Sequence, residues 1–219
     1  VSVVLISHSS DQVSGYSMNT HYDDATIEFY STKALIYAAT AREGVSPYLQ
    51  RFLALLSPGA CILELGCGGG LEAEFMMASG FDVHATDGVP EIAAEAEKRL
   101  GVRVEVLRFD QLSADSRFDA VYAAASLLHV PVNSLASVLS KIHCALKPGG
   151  KHFASYKSGG ADGRDTFGRY FNYLSREQAE RQYLIAAPWS RLVIEEMTGG
   201  GFDGVQGPWL TVLAEKRLD

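Results

Sequence analysis

Glu64, Asp87 and His129 are the residues of this chain best placed by their neighbours to do chemistry, and each follows an apolar run. Glu64 stands two residues ahead of Gly66 in the stretch Leu63-Glu64-Leu65-Gly66-Cys67-Gly68-Gly69-Gly70. Glycines there remove side chains where a strand must turn sharply into a helix, and they let a ligand come close to the main chain. The helix that opens at Leu71 offers unpaired N–H groups and a positive dipole end to negative charge or hydroxyls. Asp87 ends a second apolar run, 19 residues beyond Gly68, where a carboxylate can accept hydrogen bonds from both hydroxyls of a ribose. His129 comes after a later run, and an imidazole near neutral pH can orient a nucleophile or take its proton. Lys157, Arg169 and Tyr173 lie in a loop rich in glycine, aromatics and arginine; the cations suit an anionic acceptor and Tyr173 can stack on one.

Each feature also has a bland reading. The loop could be a tight strand-to-helix turn with no ligand, Asp87 a turn residue before Gly88, and His129 a side chain that ties down its own loop. Cys67 is a small residue fitting a crowded turn rather than a nucleophile. Tyr30 and Tyr37 recur on one helix and could cover a ligand, although such a stripe is commonly core. Counted from Gly66, the dinucleotide pattern GxGxxG fails at Leu71; counted from Gly68 it passes only as GxGxxA, through Ala73. A nicotinamide-dependent oxidoreductase therefore stays open at the level of this loop.

The elements that must position these groups can be read from periodicity. Residues 23 to 41 and Pro47 to Leu56 predict two helices ahead of the first strand. Cys61 to Leu65 is an apolar run of central-strand length. A helix from Leu71 stops at Ser79-Gly80, and Phe81 to Asp87 is a second strand. Pro90 starts a helix that Gly101 closes. Val102 to Phe109 alternates as a third strand, with Asp110-Gln111 at its end. Phe118 to Ala124 is the fourth strand, and Asn133 is expected to cap the next helix. Lys147-Pro-Gly-Gly150 turns into a fifth strand, Lys151 to Tyr156. After the loop from Lys157 to Tyr173 come a helix near Arg176 to Ile185 and two strands, Arg191 to Met197 and Pro208 to Glu215.

The 219 residues fit one domain, 23–219, behind a tail over 1–22 that is apolar from Val1 to Ile6, polar from Ser7 to Ser17, and has Met18 as a candidate natural start. With 47% apolar and 21% charged residues the chain is globular, and a net charge of −7 disfavours nucleic acid or an anionic membrane as partner. Three cysteines without paired spacing point to a reducing cytoplasm and no metal site. No apolar run reaches membrane-spanning length.

Five pieces line up in chain order: Glu64 with its glycines, Asp87, Asp110, Phe118-Asp-Ala-Val with Leu-Leu-His129, and Leu146-Lys-Pro-Gly-Gly150. In this the chain resembles the class I S-adenosylmethionine-dependent methyltransferases, over about residues 25 to 215. The stretches Leu127 to Pro131 and Gly168 to Tyr173 are similar to those of small bacterial tellurite-resistance and thiopurine-like members. The resemblance implies a three-layer α/β/α Rossmann-like fold with a seven-stranded sheet in the order 3-2-1-4-5-7-6, strand seven antiparallel. It implies that Gly66, Cys67, Gly68 and Gly70 line the methionine part of the cofactor S-adenosylmethionine and that Glu64 reaches its ammonium through water. Asp87 would hold the ribose and Asp110 with Gln111 would meet the adenine; Gly88 stands where the family often has a larger residue against the adenine ring, and Tyr30, Tyr37 and Ala124 complete the cofactor-binding candidates. His129 is the catalytic candidate and residues 157–190 a substrate lid. A small-molecule methyl acceptor and a monomer or weak dimer are expected. The end of strand four lacks the Asn/Asp-Pro-Pro-Tyr string of enzymes acting on nucleobase amines. A cofactor-binding accessory protein without turnover remains the non-enzymatic alternative.

Overall fold

Alternation along the central strands decides which side chain enters which layer. In β1 (Cys61–Leu65), Leu63 and Leu65 enter one apolar cluster and Ile62 the other. In β4 (Phe118–Ala123), Val121 and Ala123 follow the first, Ala120 and Tyr122 the second. The first cluster is filled by α5 (Val132–Ala145) and α6 (Arg176–Ala186), the second by α2 (Pro47–Leu53) and α3 (Leu71–Ala78). The result is a sheet sandwiched between helices, described over residues 22–39, 44–202 and 204–218 of this computed structural model. The expected tail, apart from Tyr22, and the candidate start at Met18 lie outside the described residues.

The remaining elements are α1 (Asp24–Ala39), β2 (Asp82–Asp87), α4 (Pro90–Leu100), β3 (Glu105–Val106), β5 (Leu146–Lys157), β6 (Gly163–Arg164), β7 (Tyr170–Phe171), β8 (Trp189–Gly200) and β9 (Gln206–Lys216). The main sheet runs β3-β2-β1-β4-β5-β9-β8, while β6 and β7 form a separate hairpin. Counting only main-sheet strands, this is the expected 3-2-1-4-5-7-6. β9 is antiparallel to both neighbours, and the pairs from β3 to β5 are parallel.

Several boundaries differ from the sequence reading. The third strand is only Glu105–Val106, because it is an edge strand paired to Thr86 and Asp87 alone, with Val102 and Val106 left exposed. Pro131, not Asn133, precedes α5: the helix begins at Val132 and Ser134 N–H donates to the Pro131 carbonyl. Residues Lys147 to Gly150 loop out between the β4–β5 pairs Phe118↔Leu146 and Ala120↔Lys151, so β5 begins before the glycines as well as after them. β8 and β9 outrun their expected ends and carry a glycine-rich tip, Gly199 to Phe202, to the carboxyl edge of the sheet. The segment expected as a continuous loop contains the β6–β7 hairpin.

α6 is anchored by a buried polar chain. Its Ser175 cap accepts from Gln178 N–H while the Gln178 side chain accepts from Ser175 N–H. Farther along, the Tyr183 hydroxyl lies 3.0 Å from His152 Nε2 and 3.1 Å from the Tyr156 hydroxyl, with all three side chains fully buried. Tyr183→Phe strands two buried polar groups, and a loss of about 1–3 kcal/mol in unfolding free energy is expected by denaturant titration. Unchanged stability would show that this chain does not hold α6.

Candidate functional site

The glycine loop is fixed from both sides by β2 and the turn after β4. Gly66 and Cys67 both donate their N–H to the Thr86 carbonyl, at 2.9 and 2.8 Å. Thr86 Oγ1 returns a bond to the Glu64 carbonyl at 2.7 Å, and Ser126 Oγ donates to Leu65 O at 2.6 Å. Gly66 has φ +79°, and a Cβ there would stand 2.5 Å from Ser126 Cβ, so only glycine fits. Cys67 packs among Ala73, Ala85 and Ala93, and burial followed by the nearness of Glu64 and Asp87 pushes its thiol well up, which agrees with a filler and not a nucleophile.

Asp87 is buried at the end of β2. Its Oδ2 accepts from Gly68 N–H at 3.1 Å and its Oδ1 from Val89 N–H at 2.9 Å. Burial raises its pKa to about 6 against the pull of the N–H groups of Val89, Gly68 and Gly88. Glu64 is 2% exposed, and its Oε2 has no hydrogen-bond partner. Burial, then Glu72, then Asp87 hold its carboxyl well above the usual carboxylate range. Burial beside two further acids disfavours its ionised form while it has no counter-charge.

Two cavities meet over this loop. The inner one, about 90 Å³, is lined by Gly66, Gly68, Asp87, Gly88, Val89 and Phe109. The outer one, about 260 Å³, reaches Tyr48, Ala124, Phe153, Lys157 and Trp209. Tyr30, Tyr37, Ala125 and His129 line both, forming a wall that the two cavities share. Ala125 has φ +51°, a strained conformation for a residue with a Cβ, and its N–H is held by Ser155 Oγ at 2.9 Å.

His129 is pinned in this wall. Nδ1 lies 2.6 Å from the Tyr170 carbonyl, which only accepts, so Nδ1 carries the proton; Nε2 then accepts from the Tyr30 hydroxyl at 3.0 Å. Burial lowers its pKa to about 4, outweighing the Tyr170 bond. Tyr30 in turn accepts from Arg169 Nη1 at 3.0 Å. Arg169, 2% exposed, makes a buried ion pair with Asp165 at 2.7 Å. α1 is clasped at its start as well: Asp23 takes both Nη groups of Arg164 at 2.9 and 2.6 Å, and Thr26 Oγ1 accepts from Tyr170 N–H at 2.8 Å.

The structure thus brings together Tyr30, Tyr37, Gly66, Gly68, Asp87, Gly88, Ala124, His129, Lys157 and Arg169 around the two cavities. Glu64 and Cys67 line neither cavity, and Gly70 instead caps α3 at φ +80°. Asp110 and Gln111 are outside the lining: Asp110 pairs with Arg108 at 3.2 Å and Gln111 Oε1 accepts Arg108 N–H, leaving Phe109 to face the cavity. Tyr173 is also outside, with its ring 5.4 Å from that of Phe171. Arg164 is committed to Asp23. Sequence reasoning missed Ala125, Phe109, Phe202 and Trp209. An alanine with positive φ carries no sequence signal, whereas Phe109 is the apolar end of the run expected as strand three.

Residues 62–150 match the family model of a methyltransferase domain. A ubiquinone biosynthesis O-methyltransferase of Xanthomonas campestris is 40% identical over 107 residues, 45% of this chain and 43% of that protein. The chain thus spans less than half the length of this curated relative. Among solved structures, 1,6-didemethyltoxoflavin-N1-methyltransferase of Burkholderia thailandensis, with its substrate and S-adenosylhomocysteine bound, aligns with TM-score 0.70 at 20% identity over 88% of each chain. Phosphoethanolamine N-methyltransferase 2 of Haemonchus contortus, in complex with S-adenosylmethionine, aligns at TM-score 0.65 and 19% identity over 90% of this chain and 58% of that one. The fold is the Rossmann-like methyltransferase fold.

His129 generates a direct test. Because its folded pKa is lowered, the unfolded chain binds the proton more readily, and this residue's share of stability falls as pH drops from about 6.5 towards 4. Nitrogen-15 spectra of labelled histidine are expected to show a neutral ring with the proton on Nδ1 down to about pH 4. Protonation near 6.5 would contradict the pinned geometry.

Proposed function

We propose, from the premise that residues 62–150 form a methyltransferase domain, that the chain binds S-adenosylmethionine and passes its methyl group to a small-molecule acceptor. The observation that carries this is the shared wall. Two cavities that meet at Tyr30, Tyr37, Ala125 and His129 suit two bound molecules whose reacting atoms must face each other. An accessory protein that only holds a cofactor has no use for the second cavity.

The residues present fit the cofactor. Asp87 offers carboxylate lone pairs to a ribose, and the unpartnered Oε2 of Glu64 answers an ammonium, through water. A nicotinamide dinucleotide would bring a pyrophosphate to a loop already ringed by Glu64, Glu72 and Asp87, which disfavours the oxidoreductase alternative. The Tyr37 ring of α1 lies 3.2 Å from where a Gly68 Cβ would stand, so α1 lies close over the glycine loop.

When bound, the cofactor supplies a methyl group already activated by sulfonium sulfur. The chain's part is to hold, orient and exclude water. His129, with a pKa of about 4 and both ring nitrogens engaged, is a weak base; we assign it the task of fixing the Tyr30 hydroxyl at the wall. Lys157 and Arg169 stand on the acceptor side, and Tyr173 supports Phe171 from behind. Residues 157–190 serve as the acceptor-side cover, through the β6–β7 hairpin clasped to α1. Within the family, the likeness of Leu127 to Pro131 and Gly168 to Tyr173 supports the tellurite-resistance and thiopurine-like group. A cytoplasmic monomer or weak dimer with no nucleic-acid partner agrees with the acidic charge and three free cysteines. No described helix is long and apolar enough to cross a membrane.

Calorimetry tests the cofactor site. Asp87→Ala is expected to weaken S-adenosylmethionine and S-adenosylhomocysteine about tenfold or more, and unchanged affinity would remove the ribose assignment. In the wild type, affinity is expected to fall as pH drops through about 6, where Asp87 takes up its proton. A flat profile from pH 7.5 to 5 would contradict an ionised Asp87 as the acceptor.

A further inference from the structure

We propose that Cys61, Asp82 and His84 form a binding site for one divalent transition-metal ion of the zinc class, at the amino ends of β1 and β2; it stands independently of the methyl-transfer reading. Among the described residues these three form a group whose ligand atoms, the Cys61 sulfur, an Asp82 carboxylate oxygen and a His84 ring nitrogen, all lie within 4.8 Å of one another. Strand register makes the group. Cys61 opens β1 opposite Asp82, which opens β2, and His84 follows two residues on, so all three side chains leave the sheet on one face. Cysteines without paired spacing predict no metal site, but ligands joined by the pairing of two parallel strands need no such spacing.

The donor set selects the ion. Thiolate and imidazole favour zinc and its neighbours over magnesium or calcium, which take oxygen ligands. One thiolate and one carboxylate also balance the charge of a dication. Donors at about 2.0–2.3 Å in a tetrahedral zinc site lie roughly 3.3–3.6 Å from one another, and His84 Nε2 lies 3.8 Å from Asp82 Oδ2. The Asp82 and His84 side chains are 68% and 36% exposed, so an ion reaches them from solution and small rotations close the remaining gap. Cys61 is half-buried beside them, and its thiol donates to Asp82. Coordination replaces that proton, which passes to water.

The neighbours divide into one that supports the site and one that opposes it. Asp119 Oδ2 accepts the Cys61 N–H at 2.9 Å, and both Asp119 oxygens accept from Lys147 Nζ at 2.9 Å. Asp119 thus holds Cys61 without becoming a ligand, and the fourth position is left to water. Arg117 Nη2 lies 3.3 Å from His84 Nδ1; a guanidinium only donates, so the ring proton sits on Nε2. An ion on Nε2 sends that proton to Nδ1 and turns the exposed Arg117 away. The site lies outside both cavities and ties together the starts of two strands whose far ends carry the glycine loop and Asp87. Its effect is therefore on the stability of the folded chain.

The experiment uses the full chain, stripped of metal by a chelator and titrated with Zn2+ or Co2+. Expected are one Zn2+ per chain by calorimetry, a melting temperature that rises with Zn2+ concentration, and a thiolate-to-cobalt charge-transfer band with Co2+. Cys61→Ser is expected to abolish the band, and Asp82→Asn and His84→Ala each to weaken Zn2+ about tenfold or more. Arg117→Ala is expected to tighten Zn2+, since a competing donor and a positive charge are removed. If Cys61→Ser does not fold, the wild-type band and the two exposed variants decide. Absence of the band in folded wild type, a band that survives Cys61→Ser and is lost in Cys144→Ser, or Zn2+ affinity unchanged in both Asp82→Asn and His84→Ala overturns the site. Weaker Zn2+ binding in Arg117→Ala overturns ligation through Nε2.

Discussion

The hydroxyl of Tyr30 is the point at which three distant segments are joined. It lies 3.0 Å from His129 Nε2 and 3.0 Å from Arg169 Nη1, so α1, the turn after β4 and the β6–β7 hairpin share one arrangement of protons. The direction of each bond follows from one end: the Tyr170 carbonyl can only accept, which fixes the histidine tautomer and turns the tyrosine hydroxyl towards it. At the other end Asp165 neutralises Arg169 in a buried pair, and removing one partner of such a pair typically costs about 3–5 kcal/mol. The wall between the cavities is therefore held by groups that cannot change partner cheaply.

Against this rigid wall stands a floor under electrostatic strain. Glu64, Glu72 and Asp87 crowd the glycine loop, and burial holds two of them above the ordinary carboxylate range. Ionising them without a counter-charge is costly. A ligand with a hydroxylated ring at one end and an ammonium at the other relieves that cost, whereas one with a pyrophosphate adds to it. The backbone N–H of Gly68 satisfies one oxygen of Asp87, and its φ of +56°, with Tyr37 3.2 Å from where a Cβ would stand, suits that position to glycine.

Much of this could be read from residue types. Apolar runs and alternation with glycine and proline punctuation located the seven main strands in chain order, the central parallel strands most plainly because burial on both faces leaves continuous apolar stretches. Glu64, Asp87 and His129 stood out because an acid or imidazole at the end of such a run has to be accounted for. What failed was set by tertiary contact. β3 is short because an edge strand has one partner, and Asn133 loses its capping role to Pro131 by a shift of the helix start. Ala125 and Phe202 reach the site through a strained turn and a hairpin tip, neither of which has a local pattern. Arg169, read from its glycine-rich loop as a cation for an anionic acceptor, is buried among five rings and paired with Asp165.

In the proposed function, methyl donor and acceptor meet where Tyr30, Tyr37, Ala125 and His129 line both cavities. The most direct measurement is a crystal structure of the protein soaked with S-adenosylhomocysteine. The expected result is the ribose on Asp87, the amino group towards Glu64, and the sulfur facing Ala125 and His129 with the outer cavity open before it. A nucleoside bound elsewhere, or a sulfur turned away from that wall, would contradict the claim.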